Sequence, residues 1–116
     1  MFFYLFFLAI APTLPPIINE VIQNERYMYV TGISWSRPKV YGGLVTGYKV
    51  ILHYTDGNRH NWTLEADKRS LSAGMGPNST YCITVLAFNE AGDGPAAKCI
   101  NFTTRDGGKA PSPLKN

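Results

Sequence analysis

The chain has 116 residues, with 11 Lys plus Arg against 8 Asp plus Glu, 2 Cys and 45% hydrophobic residues. That length suits one domain with a core of its own, and 16% charged with 13% aromatic residues is the reverse of a disordered chain. The formal charge of +3 is mild, and its cations (Arg26, Arg37, Lys39, Lys49, Arg59, Lys68, Arg69 and Arg105 among them) are scattered. Nucleic-acid binders gather theirs into a patch, so no nucleic-acid partner is expected. Composition also excludes collagen-like, coiled-coil and low-complexity chains.

Met1 to Ala11, MFFYLFFLAIA, is apolar and uncharged. It is shorter than the roughly 20 residues that a membrane-crossing helix needs, so no direct membrane span is expected. Ala9-Ile10-Ala11 fits the small-x-small cleavage pattern of a secretory signal. No Lys or Arg precedes the run, however, and Pro12 would follow the cut. The same residues also fit a remnant of a longer protein. On both readings residues 1–11 stand outside the fold, 12–105 form the domain, and 106–116 (DGGKAPSPLKN) are a linker or tail.

The extended lead-in Pro12 to Pro16 precedes a weak first strand at Ile17 to Ile22, and Tyr29 to Trp35 is a second, ended by Arg37-Pro38. Val45 to Tyr54 alternates with a period of two, Tyr48, Val50 and Leu52 on one face and Lys49, Ile51 and His53 on the other. Asp56-Gly57 supplies a turn into Arg59 to Leu64, and Ser70 to Met75 follows. Tyr81 to Phe88 sets Tyr81, Ile83, Val85 and Ala87 against Cys82, Thr84, Leu86 and Phe88. Asn89 to Pro95 is rich in turn formers and reads as a loop before a last strand, Ala97 to Thr104. Seven short strands and no helical repeat predict an all-β protein. A different sandwich or a small barrel fits the periodicity equally well.

Four fragments in order narrow this. They are Ile33-Ser34-Trp35-Ser36-Arg37-Pro38, Gly47-Tyr48-Lys49-Val50, Met75-Gly76-Pro77-Asn78-Ser79-Thr80-Tyr81, and Ala87-Phe88-Asn89-Glu90-Ala91-Gly92-Asp93-Gly94-Pro95. At these intervals the chain resembles the fibronectin type III domain from about Pro15 to Thr104. The resemblance implies a seven-stranded immunoglobulin-like β-sandwich of two antiparallel sheets. Trp35, Tyr48, Val50, Tyr81, Ile83 and Val85 are its expected core, Trp35 being large enough to bridge sheets about 10 Å apart. The Tyr81 hydroxyl is expected to return to the preceding turn as a tyrosine corner. Met75 stands where the family usually has Leu. Ser72 and Thr31 fall where inward apolar residues are expected, unless bulges at Gly32 or Gly74 re-aim Val30 or Leu71.

If the last two strands form a hairpin, the register that sets Ala87 opposite Gly94 also sets Cys82 opposite Cys99. In an oxidising compartment the pair is then expected as a disulfide, the alternative being two free thiols. Asn61, Asn78 and Asn101 each begin an Asn-x-Ser/Thr sequon at a turn or an outward strand position, where a glycan fits.

Little in the chain suggests catalysis. His53 and His60 are the only histidines, and no Cys-x-x-Cys, His-Glu-x-x-His or phosphate-cradling loop occurs. Cys82 as a nucleophile would need a histidine beside it, which His53 could supply if their strands adjoin. A metal site from His53, Asp56 and His60 would have its ligands scattered by strand and turn. The expectation is no enzyme and no cofactor. A protein-binding surface remains, and the outward residues Ile51, His53, Thr84, Leu86 and Phe88, with Glu90 and Asp93 of the following loop, are its candidates. The family resemblance implies an extracellular or cell-surface module that mediates protein interaction or spacing in an adhesion or receptor protein. Its neighbours would be fibronectin type III or immunoglobulin domains, its protein partner unidentified. The alternative is a small secreted ligand or modulator acting alone.

Overall fold

Runs of β-branched and aromatic residues alternating with polar ones form eight strands in the computed structural model, which describes residues 10–23, 30–38, 43–76 and 78–104. They are β1 (Ile17–Gln23), β2 (Val30–Ser36), β3 (Gly47–Tyr54), β4 (Arg59–Glu65), β5 (Ser70–Gly74), β6 (Thr80–Asn89), β7 (Gly92–Ala96) and β8 (Ile100–Thr103). One sheet has the order β1-β2-β5. The other runs β4-β3-β6-β7, with β8 also pairing β6, and every pairing is antiparallel. β7 and β8 are two halves of the seventh strand of an immunoglobulin-like sandwich.

The core forms where the inward residues of the two sheets meet. Trp35 of β2 crosses to Tyr48 of β3, ring edge to ring face at 5.6 Å. Around this pair Ile33, Val50, Leu52, Tyr81, Ile83, Val85 and Ala87 are at most 5% exposed. Ile18, Val21, Trp62, Leu64, Leu71, Ala73 and Phe102 pack against them from the flanks. Burial at this level contributes about 1.5–3 kcal/mol per large apolar side chain.

Three local expectations need correction. Ser72 is exposed rather than inward, because Leu71, Ala73 and Met75 carry the inward parity of β5 and continue it beyond the strand's end. No bulge occurs at Gly32 or Gly74, since the β2–β5 register runs unbroken from Val30↔Gly74 to Ser34↔Ser70. The irregularity lies in β1, between Ile18 and Glu20. It lets Ile18 and Val21, three positions apart, both face the core, which a regular two-residue period forbids. Thr31 does point inward, at 1% exposure. The side chain of Val30 and all of Tyr29 lie outside the described residues.

The second correction concerns Asn89 to Pro95. Gly92–Ala96, read as part of a loop, is strand β7, joined to β6 by a tight turn at Glu90-Ala91. Gly92 takes φ 141°, a conformation few other residues adopt. Pro95 is tolerated because β7 is an edge strand. Conversely Ala97 to Cys99, expected in the last strand, lie between β7 and β8. The third correction is at the start: Ile10 and Ala11, set outside the fold by the sequence reading, touch it. Gly43 and Asn89 both approach them.

Candidate functional site

The outer face of the larger sheet carries the residues singled out for binding. Because side chains alternate, the register aligns Gly47, Lys49, Ile51 and His53 of β3 with Phe88, Leu86, Thr84 and Cys82 of β6. On the other side the same β3 residues face Glu65, Thr63, Asn61 and Arg59 of β4. Beyond β6, Asp93 stands opposite Phe88, Ala96 opposite Leu86, and Asn101 opposite Cys82.

Lys49 organises one half of this face. Its Nζ lies 3.0 Å from the Asp93 carboxylate and 5.4 Å from the centre of the Phe88 ring. Lys49 and Asp93 are on strands separated by β6, so the lysine stem must lie across β6. That stem is an apolar cover. It accounts for Leu86, expected as a contact residue, being only 8% exposed. Thr84 is likewise buried, its hydroxyl donating to the Ala97 carbonyl. Leu86 therefore leaves the list of accessible candidates, while Ile51, His53 and Phe88 are half-buried and Glu90 and Asp93 exposed. The ion pair is solvent-accessible, with side chains 33% and 47% exposed. Pairs of this kind contribute only about 0–1 kcal/mol, so its effect is to orient rather than to stabilise. Gly47 makes room for Phe88, since a Cβ there would stand 2.5 Å from the ring and 2.7 Å from the Leu64 carbonyl oxygen.

The other half of the face is bounded by two sequons. Asn61 sits beside Ile51 on β4, and Asn101 beside Cys82 on β8; both are exposed. Three strand spacings separate β4 from β8, roughly 14 Å at the usual inter-strand distance. Ile51 and His53 lie between them. Asn78 precedes the start of β6, at the same end as Asn101, exposed in a turn with φ 50°, a left-handed conformation that Asn tolerates better than most residues.

Cys82 and Cys99 are joined as a disulfide with Cα atoms 5.6 Å apart. The pairing is diagonal: Cys82 faces Asn101, not Cys99. The hairpin register shifts between Leu86 and Phe88 and again before β8, so the register extrapolated from the turn fails by the time it reaches Cys82. His53 is a direct cross-strand neighbour of Cys82, but the sulfur it would activate is bonded to Cys99. His60 projects from the other face of β4, edge-on to Trp62 at 4.5 Å. Asp56 accepts from the Asn58 amide in the intervening turn. Among the described residues no three His, Cys, Asp or Glu side chains are grouped to hold a metal ion, and no helix is long and apolar enough to cross a membrane.

Trp62 and Asn89 escaped the sequence reading. Trp62 packs on the core from inside the Asn61 sequon, and its alternation with Leu64 was the available signal. Asn89, 6% exposed, has the sequence context of a loop former.

The family model for the fibronectin type III domain matches residues 15–103. The chain is 33% identical over 81 residues to receptor-type tyrosine-protein phosphatase F of Mus musculus, covering 65% of this chain and 4% of that protein. It is 33% identical over 93 residues to the proto-oncogene tyrosine-protein kinase ROS of Gallus gallus, covering 80% and 4%. To the cell adhesion molecule DSCAML1 of Mus musculus it is 31% identical over 107 residues, covering 83% and 5%. It thus spans about a twentieth or less of the length of these relatives. Among solved structures, the chicken CNTN1 FN1-FN3 domains superpose with a TM-score of 0.72 at 26% identity, covering 82% of this chain and 32% of that one.

Proposed function

The chain belongs to the fibronectin type III family, and from that membership we propose that it is an extracellular module of a receptor or adhesion protein, one that spaces its neighbours and binds protein partners. Modules of this family stand in receptor and adhesion proteins of which this chain spans 4–5%. That proportion carries the reading, because it is what one unit in a long series of units gives. The names of the phosphatase and kinase relatives describe whole proteins. The matched module is a non-catalytic unit, and its neighbours here would be further fibronectin type III or immunoglobulin domains.

The contact surface is the Lys49–Phe88–Asp93 half of the outer face, together with Glu90 at the adjoining turn. A rigid sheet presents these side chains at fixed spacing, and the energy of binding concentrates in a few of them. Glycans on Asn61 and Asn101 would flank Ile51 and His53 and leave that half open. The disulfide supports an oxidising compartment.

Secretion from a eukaryotic host tests this reading, with intact mass measured before and after deglycosylation and thiol alkylation. Glycan mass at Asn61, Asn78 or Asn101 and no alkylatable thiol is the expected result. Retention in the cell with bare asparagines and two free thiols would overturn it.

A further inference from the structure

The lead-in before β1 is held by three unrelated parts of the domain. Asn89, at the end of β6, donates from Nδ2 to the Ile10 carbonyl at 2.7 Å and to the Leu44 carbonyl at 3.0 Å. Its Oδ1 accepts from the Ala91 amide at 2.8 Å, which closes the β6–β7 turn. Both amide hydrogens and the carbonyl oxygen are thereby used in a site 6% exposed, where an unpaired polar group is costly. Two glycines complete the cradle. A Cβ on Gly43 would stand 2.4 Å from the Ile10 carbonyl oxygen, and one on Gly94 would stand 2.7 Å from the Pro12 carbonyl oxygen. Neither distance is possible for real atoms, so the backbone of Ile10 to Pro12 lies where only glycine lets it lie. Pro12 is buried there.

We propose that Ile10–Pro12 is a strap seated in the Gly43–Asn89–Gly94 cradle, and that Asn89 is its positioning residue. The occupant of this surface is the chain's own Ile10–Pro12, which therefore enters the domain along one path rather than as a free lead-in. Cleavage after Ala11 would separate the Ile10 carbonyl from Asn89, so the folded unit starts before the small-x-small cleavage point.

Backbone 15N relaxation on the full chain tests the strap. In the wild type the Ala11 and Thr13 amides should show order parameters near those of the strands, about 0.85. Asn89→Asp retains the acceptor for Ala91 and loses both donors. It should lower the two values below about 0.6 while the β3 and β6 amides stay rigid. Gly94→Ala acts from the other side, through the clash with Pro12, and should free the same amides even if Asn89→Asp fails to fold. Low order parameters at Ala11 and Thr13 in the wild type, or values unmoved in a folded Asn89→Asp or Gly94→Ala protein, would overturn the proposal. These outcomes are read on this chain alone and leave the receptor-module reading to its own test.

Discussion

Replacing Tyr81 with Phe isolates one hydroxyl at the end of the sandwich farthest from the strap. The ring is 5% exposed and is gripped by Tyr54 at 5.4 Å and Phe102 at 5.5 Å, contacts that Phe preserves. The lost oxygen accepts from the Gly76 amide at 2.7 Å and donates to the Gly76 carbonyl at 3.3 Å. The Thr104 hydroxyl still donates to that carbonyl at 2.6 Å, so only the Gly76 amide loses its partner. A net hydrogen bond contributes about 0.5–1.5 kcal/mol, and a stranded buried donor costs about 1–3. Gly76 is exposed, so water can reach its amide, which removes the upper part of that range. The expected loss is about 1–2 kcal/mol, a fall in Tm of roughly 4–16 °C for a domain of this size. Urea unfolding measures it, with an unchanged m-value showing that compactness is retained. A loss under about 0.5 kcal/mol would refute the argument. Thr104→Val extends the test. Both hydroxyls meet the Gly76 carbonyl, so the double variant should depart from additivity by at least about 0.5 kcal/mol.

Further outcomes follow from the same reasoning. Thr31 is 1% exposed and its Oγ1 has no hydrogen-bond partner among the described residues, so Thr31→Val should stabilise the fold by about 1 kcal/mol in the same urea assay. A decrease would mean that the hydroxyl is satisfied. Replacing Cys82 and Cys99 together with Ala should cost about 3 kcal/mol, the chain-entropy value for a separation of 17 residues. Equal stability of oxidised wild type and double variant would contradict this. Gly47→Ala drives a methyl into the Phe88 ring and the Leu64 carbonyl, and should cost about 1–3 kcal/mol. Asp93→Ala on the same face should cost under about 1 kcal/mol, because the pair it breaks is exposed.

The contrast between what the sequence disclosed and what it withheld has a physical origin. Tyr48-Val50-Leu52 and Tyr81-Ile83-Val85 were legible because both strands are central and one-sided, so period two maps directly onto burial. Trp35 was legible by size, since few residues span the gap between two sheets. Edge positions behaved differently. The bulge in β1 shifts its parity midway, and nothing in IINEVIQ marks the step. The first half of the seventh strand, β7, carries Gly and Pro, which read as loop formers, yet an edge strand needs only one row of ladder bonds and accepts both. Its register slips twice, and a pairing extrapolated from the turn therefore lost the facing positions of Cys82 and Cys99 while keeping the two close enough to bond.

The outer face shows the same limit on the functional side. Parity places Ile51, Leu86 and Phe88 outward together, but outward is not the same as accessible. Accessibility depends on what a long neighbouring side chain does, and Lys49 lies over β6 toward Asp93 at 3.0 Å, covering Leu86. No single-strand pattern carries that information, because the two charged residues are 44 positions apart and meet only through the sheet. Asn89 is the converse case. Its sequence context, between an apolar strand and a Glu-Ala-Gly turn, is that of a turn former, and it does close the turn through Oδ1. Its amide hydrogens reach residues 79 and 45 positions away, so half of what it does is invisible to any local reading. Residues whose two ends serve a local turn and a distant segment are where sequence and structure part, and in this domain that residue controls how the chain enters the fold.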